Sequence, residues 1–255
     1  MFVVVGVFAD LVAPYDPLEF FRGHLLEAPS SEHWLGTDEL TRDLFSRMVF
    51  GARTSMLISI SAVTIAITVG STLGLLAGYY GGIVDMIIMR LVDVMLSFPS
   101  MILIIAVVAF LGNTITNLVL VIGLLYTPGT ARIMYTTVLS IREMDYIEAA
   151  KMTGANSLRI MIRHVLPNSI APLLVHTALT MGFVILSESG LSFLGLGPPP
   201  PTPTWGEMVS IGRTYIHRQP LLLITPITAI SVVIVALNIM SDQLRDILDP
   251  RLKIR

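Results

Sequence analysis

The chain has 255 residues, of which 54% are hydrophobic and 13% charged, and its mean hydropathy is +0.78. Soluble domains carry roughly 25% charged residues, so the bilayer is the expected solvent. A net charge of −2 provides no electrostatic footprint for nucleic acid, and the absence of cysteine excludes disulfides, thiolate metal sites and cysteine nucleophiles.

The N-terminal stretch Phe2 to Ala9 is apolar but too short to span hydrocarbon, and it lacks the basic region of a secretory signal peptide. It is expected to be the end of a first transmembrane helix that began upstream, which makes residues 1–13 part of a truncated sixth span. Residues 14–53 form a long loop containing Asp38, Asp43 and Arg42, and these charges are expected on a capped, solvated surface helix. Four clear spans follow, over Thr54–Tyr79, Ile115–Leu139, Ile170–Leu186 and Leu221–Met240, each near or above the roughly 20 residues a membrane helix needs. A fifth runs from about Ile83 to Leu111, with Asp85, Arg90 and Asp93 in its first half and Pro99 interrupting it. It is longer than the membrane is thick, so its charged beginning is expected to project or to pack on neighbours, with Arg90 and Asp93 placed to pair on one face.

Between the second and third clear spans the chain turns polar, and residues 140–167 read as a docking element. Asp145 to Ser157 has the length of roughly three helical turns. Ala149 and Ala150 allow a partner close approach, Gly154 permits a turn that a side chain would resist, and Pro167 suits the first turn of the next helix. Beyond Leu186, the loop 187–220 contains a run of prolines from Pro198 to Pro201 that no regular helix survives. Trp205 is expected to anchor at the interface. Glu188 reads first as a solvated or hydrogen-bonded helix end, and second, with Ser187, as a polar group lining a pathway. His176 reads as a packed, hydrogen-bonded histidine with a possible pathway role. Residues 241–252 read as a short amphipathic surface helix ended by Asp249-Pro250, and 246–255 as a tail.

Several of these blocks resemble one family. Glu148-Ala149-Ala150, Gly154 after three intervening residues and Leu166-Pro167 beyond it resemble the signature of the membrane subunits of binding-protein-dependent ABC importers. His164 stands where the usual residue is Ile, a variant similar to the peptide/nickel branch. His33-Trp34-Leu35-Gly36-Thr37-Asp38 with Arg42-Asp43, the block Leu191 to Gly197, Trp205-Gly206, and Asp242 to Arg251 also resemble that branch, with Thr41 in place of its glycine.

The resemblance covers Pro14 to Arg255. It implies an all-α integral membrane protein of the type I ABC importer permease fold, with five clear transmembrane helices, a truncated first one and a cytoplasmic coupling helix within the permease domain 54–245. It also implies a second, homologous permease and two ATPase subunits, which bind ATP and Mg and dock on Glu148, Ala149, Ala150, Gly154, His164, Leu166 and Pro167. An extracytoplasmic substrate-binding protein would meet the 14–53 loop. The expected cargo is di- or oligopeptides, with nickel or another small solute as the alternative.

Placing the Glu148 loop inside puts ten of the 16 Lys and Arg residues on the cytoplasmic side, together with the C-terminus. The localisation implied is a prokaryotic inner membrane. The chain itself has no phosphate-binding loop, no zinc-protease motif and no nucleophile elbow, so no enzyme activity, catalytic residue, cofactor or metal site is expected in it. An ion-coupled secondary transporter is the competing class, but neither inverted repeats nor paired intramembrane charges are evident.

Overall fold

The computed structural model describes residues 6–248. The expectations for Phe2 to Val5, for the helix stop at Asp249-Pro250, and for Arg251, Lys253 and Arg255 lie outside the described residues.

The order is α1 (Ala9–Val12), α2 (Leu44–Tyr80), α3 (Gly82–Leu96), α4 (Ser100–Leu111), α5 (Ile115–Arg142), α6 (Asp145–Met152), α7 (Ser157–Ile160), a π-helical turn (Met161–Val165), α8 (Leu166–Phe193), α9 (Trp205–Thr214) and α10 (Leu221–Leu248). Four continuous helical runs are long and apolar enough to cross a membrane: α2, α5, Ser157–Phe193 and α10. The pair α3 and α4 makes a fifth if counted together, and it is bent by 87° at its break. Pro99 accounts for the break, because its ring fixes φ and it brings no N–H to the helix. The Ser97 hydroxyl and N–H both bond back to the Asp93 carbonyl just before it, at 2.8 and 3.0 Å.

Several span boundaries differ from the sequence expectation. Helix α2 starts at Leu44, ten residues early, because Asp43 caps it by accepting the Ser46 N–H at 2.7 Å. Helix α8 continues to Phe193, so Ser187 to Phe193 are helical and only the proline-rich stretch after them is irregular. Residues 241–248 extend α10 and do not form a separate surface helix.

The chain divides into two compact units. The first comprises residues 1–61, 105–122 and 182–236, and the second residues 62–104, 123–181 and 237–255. In the second unit, α2 meets α5 along Gly70, Gly74 and Gly78. A Cβ on Gly74 would stand 2.7 Å from the Met134 Cβ and 2.9 Å from the Tyr135 backbone N, so only glycine admits this approach. Arg142 closes the end of α2 by donating to the Gly78 and Tyr79 carbonyls at 3.1 and 3.3 Å. The charged half of α3 packs on α5: the Tyr135 hydroxyl donates to Asp85 at 3.0 Å, and Asp93 pairs with Arg132. The expected Arg90–Asp93 pair does not form, since Arg132 reaches the carboxylate from the neighbouring helix.

The first unit is held by buried charge. Asp38, Arg42, Asp43 and Arg47 are all buried, which overturns the expected solvated surface helix. Asp38 forms ion pairs with Arg42 at 2.7 Å and with Arg47 at 3.2 Å, and Arg47 also reaches Glu207 at 3.4 Å. His33 Nδ1 lies 2.9 Å from Asp43. Thr204 caps α9 by accepting the Glu207 N–H at 3.1 Å. Burial pushes the Glu207 carboxyl up, while the Arg47 and Arg42 guanidiniums and the Thr204 N–H act against it. Trp205 is buried and donates its indole N–H to the Met48 carbonyl at 2.9 Å, so it is a core residue and not an interface anchor. Thr41 has φ +65°: a threonine holds the left-handed backbone that its resemblance to a glycine position foreshadowed.

Candidate functional site

The polar element after α5 is built around one anchor. Ile147 is fully buried in a cluster with Met134, Val138, Ile141, Ile160, Val165 and Leu173, on which Ala150, Ala155 and Leu166 also pack. That single inward residue fixes the roll of α6, and Glu148, Ala149 and Lys151 are left exposed. Asp145 and Glu148 sit in the first turn and Lys151 in the last, so the charges oppose the helix dipole at both ends. The helix has 8 residues, two turns and not the expected three.

Gly154 ends it. Its φ is +81° and a Cβ there would meet nothing within 4 Å, so the backbone conformation and not lack of space requires glycine. The Ala155 N–H then returns to the Ala150 carbonyl at 3.2 Å, and Asn156 caps α7 by accepting the Arg159 N–H at 2.8 Å.

Pro167 is the second residue of α8, in its first turn as expected, although the helical run from Ser157 continues into it. It has no N–H for the carbonyl four residues back, and its ring crowds that carbonyl. The preceding turn widens to a π-helix, in which the Leu166 N–H reaches Met161 O. The Asn168 side-chain amide then donates to the His164 carbonyl at 2.6 Å. The ring of His164, half-buried, lies 6.4 Å from that of Tyr146 on α6. The seven residues of the sequence motif thus lie on α6, the turn that ends it, and the helical run that follows. Glu148, Ala149, Gly154 and Pro167 are at the surface, and Ala150, His164 and Leu166 are half-buried beneath it. Met152, Leu158 and Ile162 are exposed beside the charges, Met152 by 82%, so the surface is apolar with a charged fringe.

A second feature lies along α8. A cavity of about 710 Å³ is lined by Ile133, Val175 and Leu179 among other apolar groups, and by Asn168, His176 and Arg245. His176 Nε2 lies 3.3 Å from both the Thr130 and the Thr180 hydroxyls. Pro172, also on the wall, cannot donate to the Asn168 carbonyl and leaves that acceptor without its helical partner.

The other two pathway candidates lie elsewhere. Glu188 is fully buried in the first unit, accepting from Ser55 at 3.0 Å and Ser192 at 2.9 Å, and Ser187 is buried next to it. Neither lines the cavity. Arg245, Asn168, Thr130 and Thr180 were not singled out from sequence. The signal available was the spacing of Asn168, Pro172 and His176 at four-residue intervals, which puts a polar group, a freed carbonyl and an imidazole on one helix face.

Residues 70–254 match the family of binding-protein-dependent transport system inner membrane components. The chain belongs to this family. As such a component it is a multi-pass transport permease, and relatives match it along nearly its whole length. It is 43% identical over 252 residues to a dipeptide transport system permease protein of Alkalihalophilus pseudofirmus, covering 99% of this chain and 83% of the relative. It is 41% identical over 254 residues to a glutathione transport system permease protein of Pectobacterium atrosepticum, covering 99% and 84%. The fold is that of ABC importer permeases: a chain of the MetNI methionine ABC transporter in an inward-facing crystal form superposes with TM-score 0.66 at 17% identity, over 81% of this permease and 98% of that chain.

Proposed function

We propose that this permease pairs with a second, homologous permease to form the pathway of an ATP-driven importer of short peptides. Two ATPase subunits, which bind ATP and Mg, dock on the exposed face of residues 145–154. An extracytoplasmic binding protein delivers the cargo, and α6 and the C-terminus face the cytoplasm. The observation that carries this reading is the build of α6. One side chain, Ile147, roots it in the permease core, while Glu148, Lys151 and Met152 face outward. A helix seated this way transmits force from a partner to the spanning helices through a single cluster, because Ile147, Ile160 and Leu173 pack together. Peptide is the favoured cargo because the relatives that match nearly the whole chain are named for dipeptide and glutathione transport.

The test is Gly154→Asp in the complete importer. Gly154 is exposed and a side chain there meets nothing within 4 Å; aspartate at this left-handed position strains the turn by roughly 1–2 kcal/mol, a local cost, so the variant is expected to insert and fold. Peptide uptake is expected to fall at least tenfold while ATP hydrolysis continues, and Glu148→Lys is expected to reduce co-purification of the ATPase subunits. Wild-type uptake by the Gly154→Asp importer would count against docking at this element.

A further inference from the structure

Resting on the peptide reading above, we infer that the cavity along α8 is a binding subsite for a short zwitterionic peptide, which it holds by the α-carboxylate on Arg245 and by the α-amino group on His176.

The spacing of the two stations comes from the packing. The Ser241 hydroxyl on α10 donates to the Val175 carbonyl on α8 at 3.1 Å, which sets Ser241 beside Val175 and His176. Arg245 lies one turn further along α10, so the two stations are separated by about 5–8 Å along the helix axes at 1.5 Å per residue. An extended chain spans at most about 3.3–3.6 Å per residue, which places the ends of a dipeptide about 7 Å apart. The volume of about 710 Å³ is within the usual range for small-ligand sites.

Each station has the chemistry its terminus needs. A guanidinium presents a planar fork that matches a carboxylate in bidentate fashion. Arg245 lines the cavity and forms no ion pair among the described residues. His176 is oriented by its support: Thr130 and Thr180 are buried and their hydroxyls converge on Nε2. In the tautomer that carries its proton on Nε2, the N–H points between the two hydroxyls, and the Nδ1 lone pair is left to accept from an ammonium group. On the same wall, the Asn168 carbonyl freed by Pro172 offers a further backbone acceptor near the Arg245 end. The apolar wall of Ile133, Val175 and Leu179 accepts varied side chains without selecting among them.

The experiment is equilibrium binding of Ala-Phe, C-amidated Ala-Phe and N-acetyl Ala-Phe to the purified permease–ATPase complex, with no binding protein present. Wild type is expected to bind the free dipeptide at least tenfold more tightly than either blocked form. Arg245→Gln should weaken the free dipeptide about tenfold and erase the discrimination against the amide alone. His176→Phe should do the same for the acetylated form alone, and Arg245→Lys should retain part of the preference.

A general loss of fold would weaken all three ligands together and leave neither selective pattern. Equal binding of the three ligands to wild type, or unchanged discrimination in the variants, overturns the inference. Uptake of Ala-Phe by the complete wild-type importer separates the two levels. If uptake is normal and the cavity variants bind as wild type, the subsite falls and the peptide importer stands; if no short peptide is taken up, both fall.

Discussion

Arg47 and Gly74 lie on the same helix, α2, and hold it by opposite means. Around Arg47 the first unit buries charge: Asp38 and Glu207 converge on its guanidinium, and Asp38 is shared with Arg42. Around Gly74 the second unit removes side chains, so that α2 and α5 touch along their backbones. The difference follows from what each stretch packs against. Segments 14–43 and 194–204 are largely irregular, and irregular backbone carries N–H and C=O groups that need partners when buried. Polar side chains supply them: Gln219 to Glu27 O and Asn113 to Gly197 O. A helix satisfies its own backbone, so where α2 meets α5 the interface needs only close contact.

The largest effect is expected from breaking the charged centre. Arg47→Met removes the cation from two carboxylates, Asp38 and Glu207, which are buried and mostly buried respectively. Removing one partner of a buried pair costs about 3–5 kcal/mol, and thermal unfolding of the purified complex should register it. Adding Glu207→Gln should restore part of the loss, because that carboxylate no longer stands uncompensated while Asp38 keeps its pair with Arg42. A change no larger than the ~0–1 kcal/mol of a surface pair would mean that the network is solvated and that the contrast with Gly74 is lost.

The glycine seam has a test that depends on sign. On an exposed helix, Gly→Ala stabilises by about 1 kcal/mol through propensity alone. At Gly74 the added Cβ would stand 2.7 Å from the Met134 Cβ, and overpacking of this kind costs about 1–3 kcal/mol. Gly74→Ala is therefore expected to lower the unfolding temperature. A rise would show that α2 and α5 do not approach this closely.

The same contrast explains how much could be read in advance. Hydropathy located the four continuous spans and the pair α3–α4, since length and apolar content are local properties, and Pro99 marked the bend between α3 and α4 for an equally local reason. The Glu148 element and its turn at Gly154 were also legible, because positive φ selects glycine wherever the chain folds. Asp38 to Asp43 misled because a run of charges looks the same solvated or buried, and only Arg47 and Glu207, the latter 160 residues away from it, decide between them. Trp205 misled likewise, its partner Met48 being distant in sequence. The cavity was invisible because Arg245 and His176 lie on different helices, and their level is set by a contact between Ser241 and Val175.

The smallest effect separates conformational strain from charge within the first unit. Thr41 has φ +65°, and a non-glycine residue in the left-handed region costs roughly 1–2 kcal/mol. Neighbours hold it there: its N–H bonds to the Asp38 carbonyl at 3.1 Å, and its own carbonyl accepts from the Phe21 N–H at 3.1 Å. Both bonds belong to the backbone, so Thr41→Gly keeps them and relieves the strain. Glycine gives back part of the gain, roughly 0.5–1 kcal/mol, through the greater freedom of its unfolded chain. The net expectation is a stabilisation of about 0.5–1 kcal/mol, with Thr41→Ala giving little or none because its Cβ meets the same clash. If glycine and alanine shift the unfolding temperature equally, the backbone at position 41 is unstrained. Stability around Asp38 would then rest on the ion pairs alone.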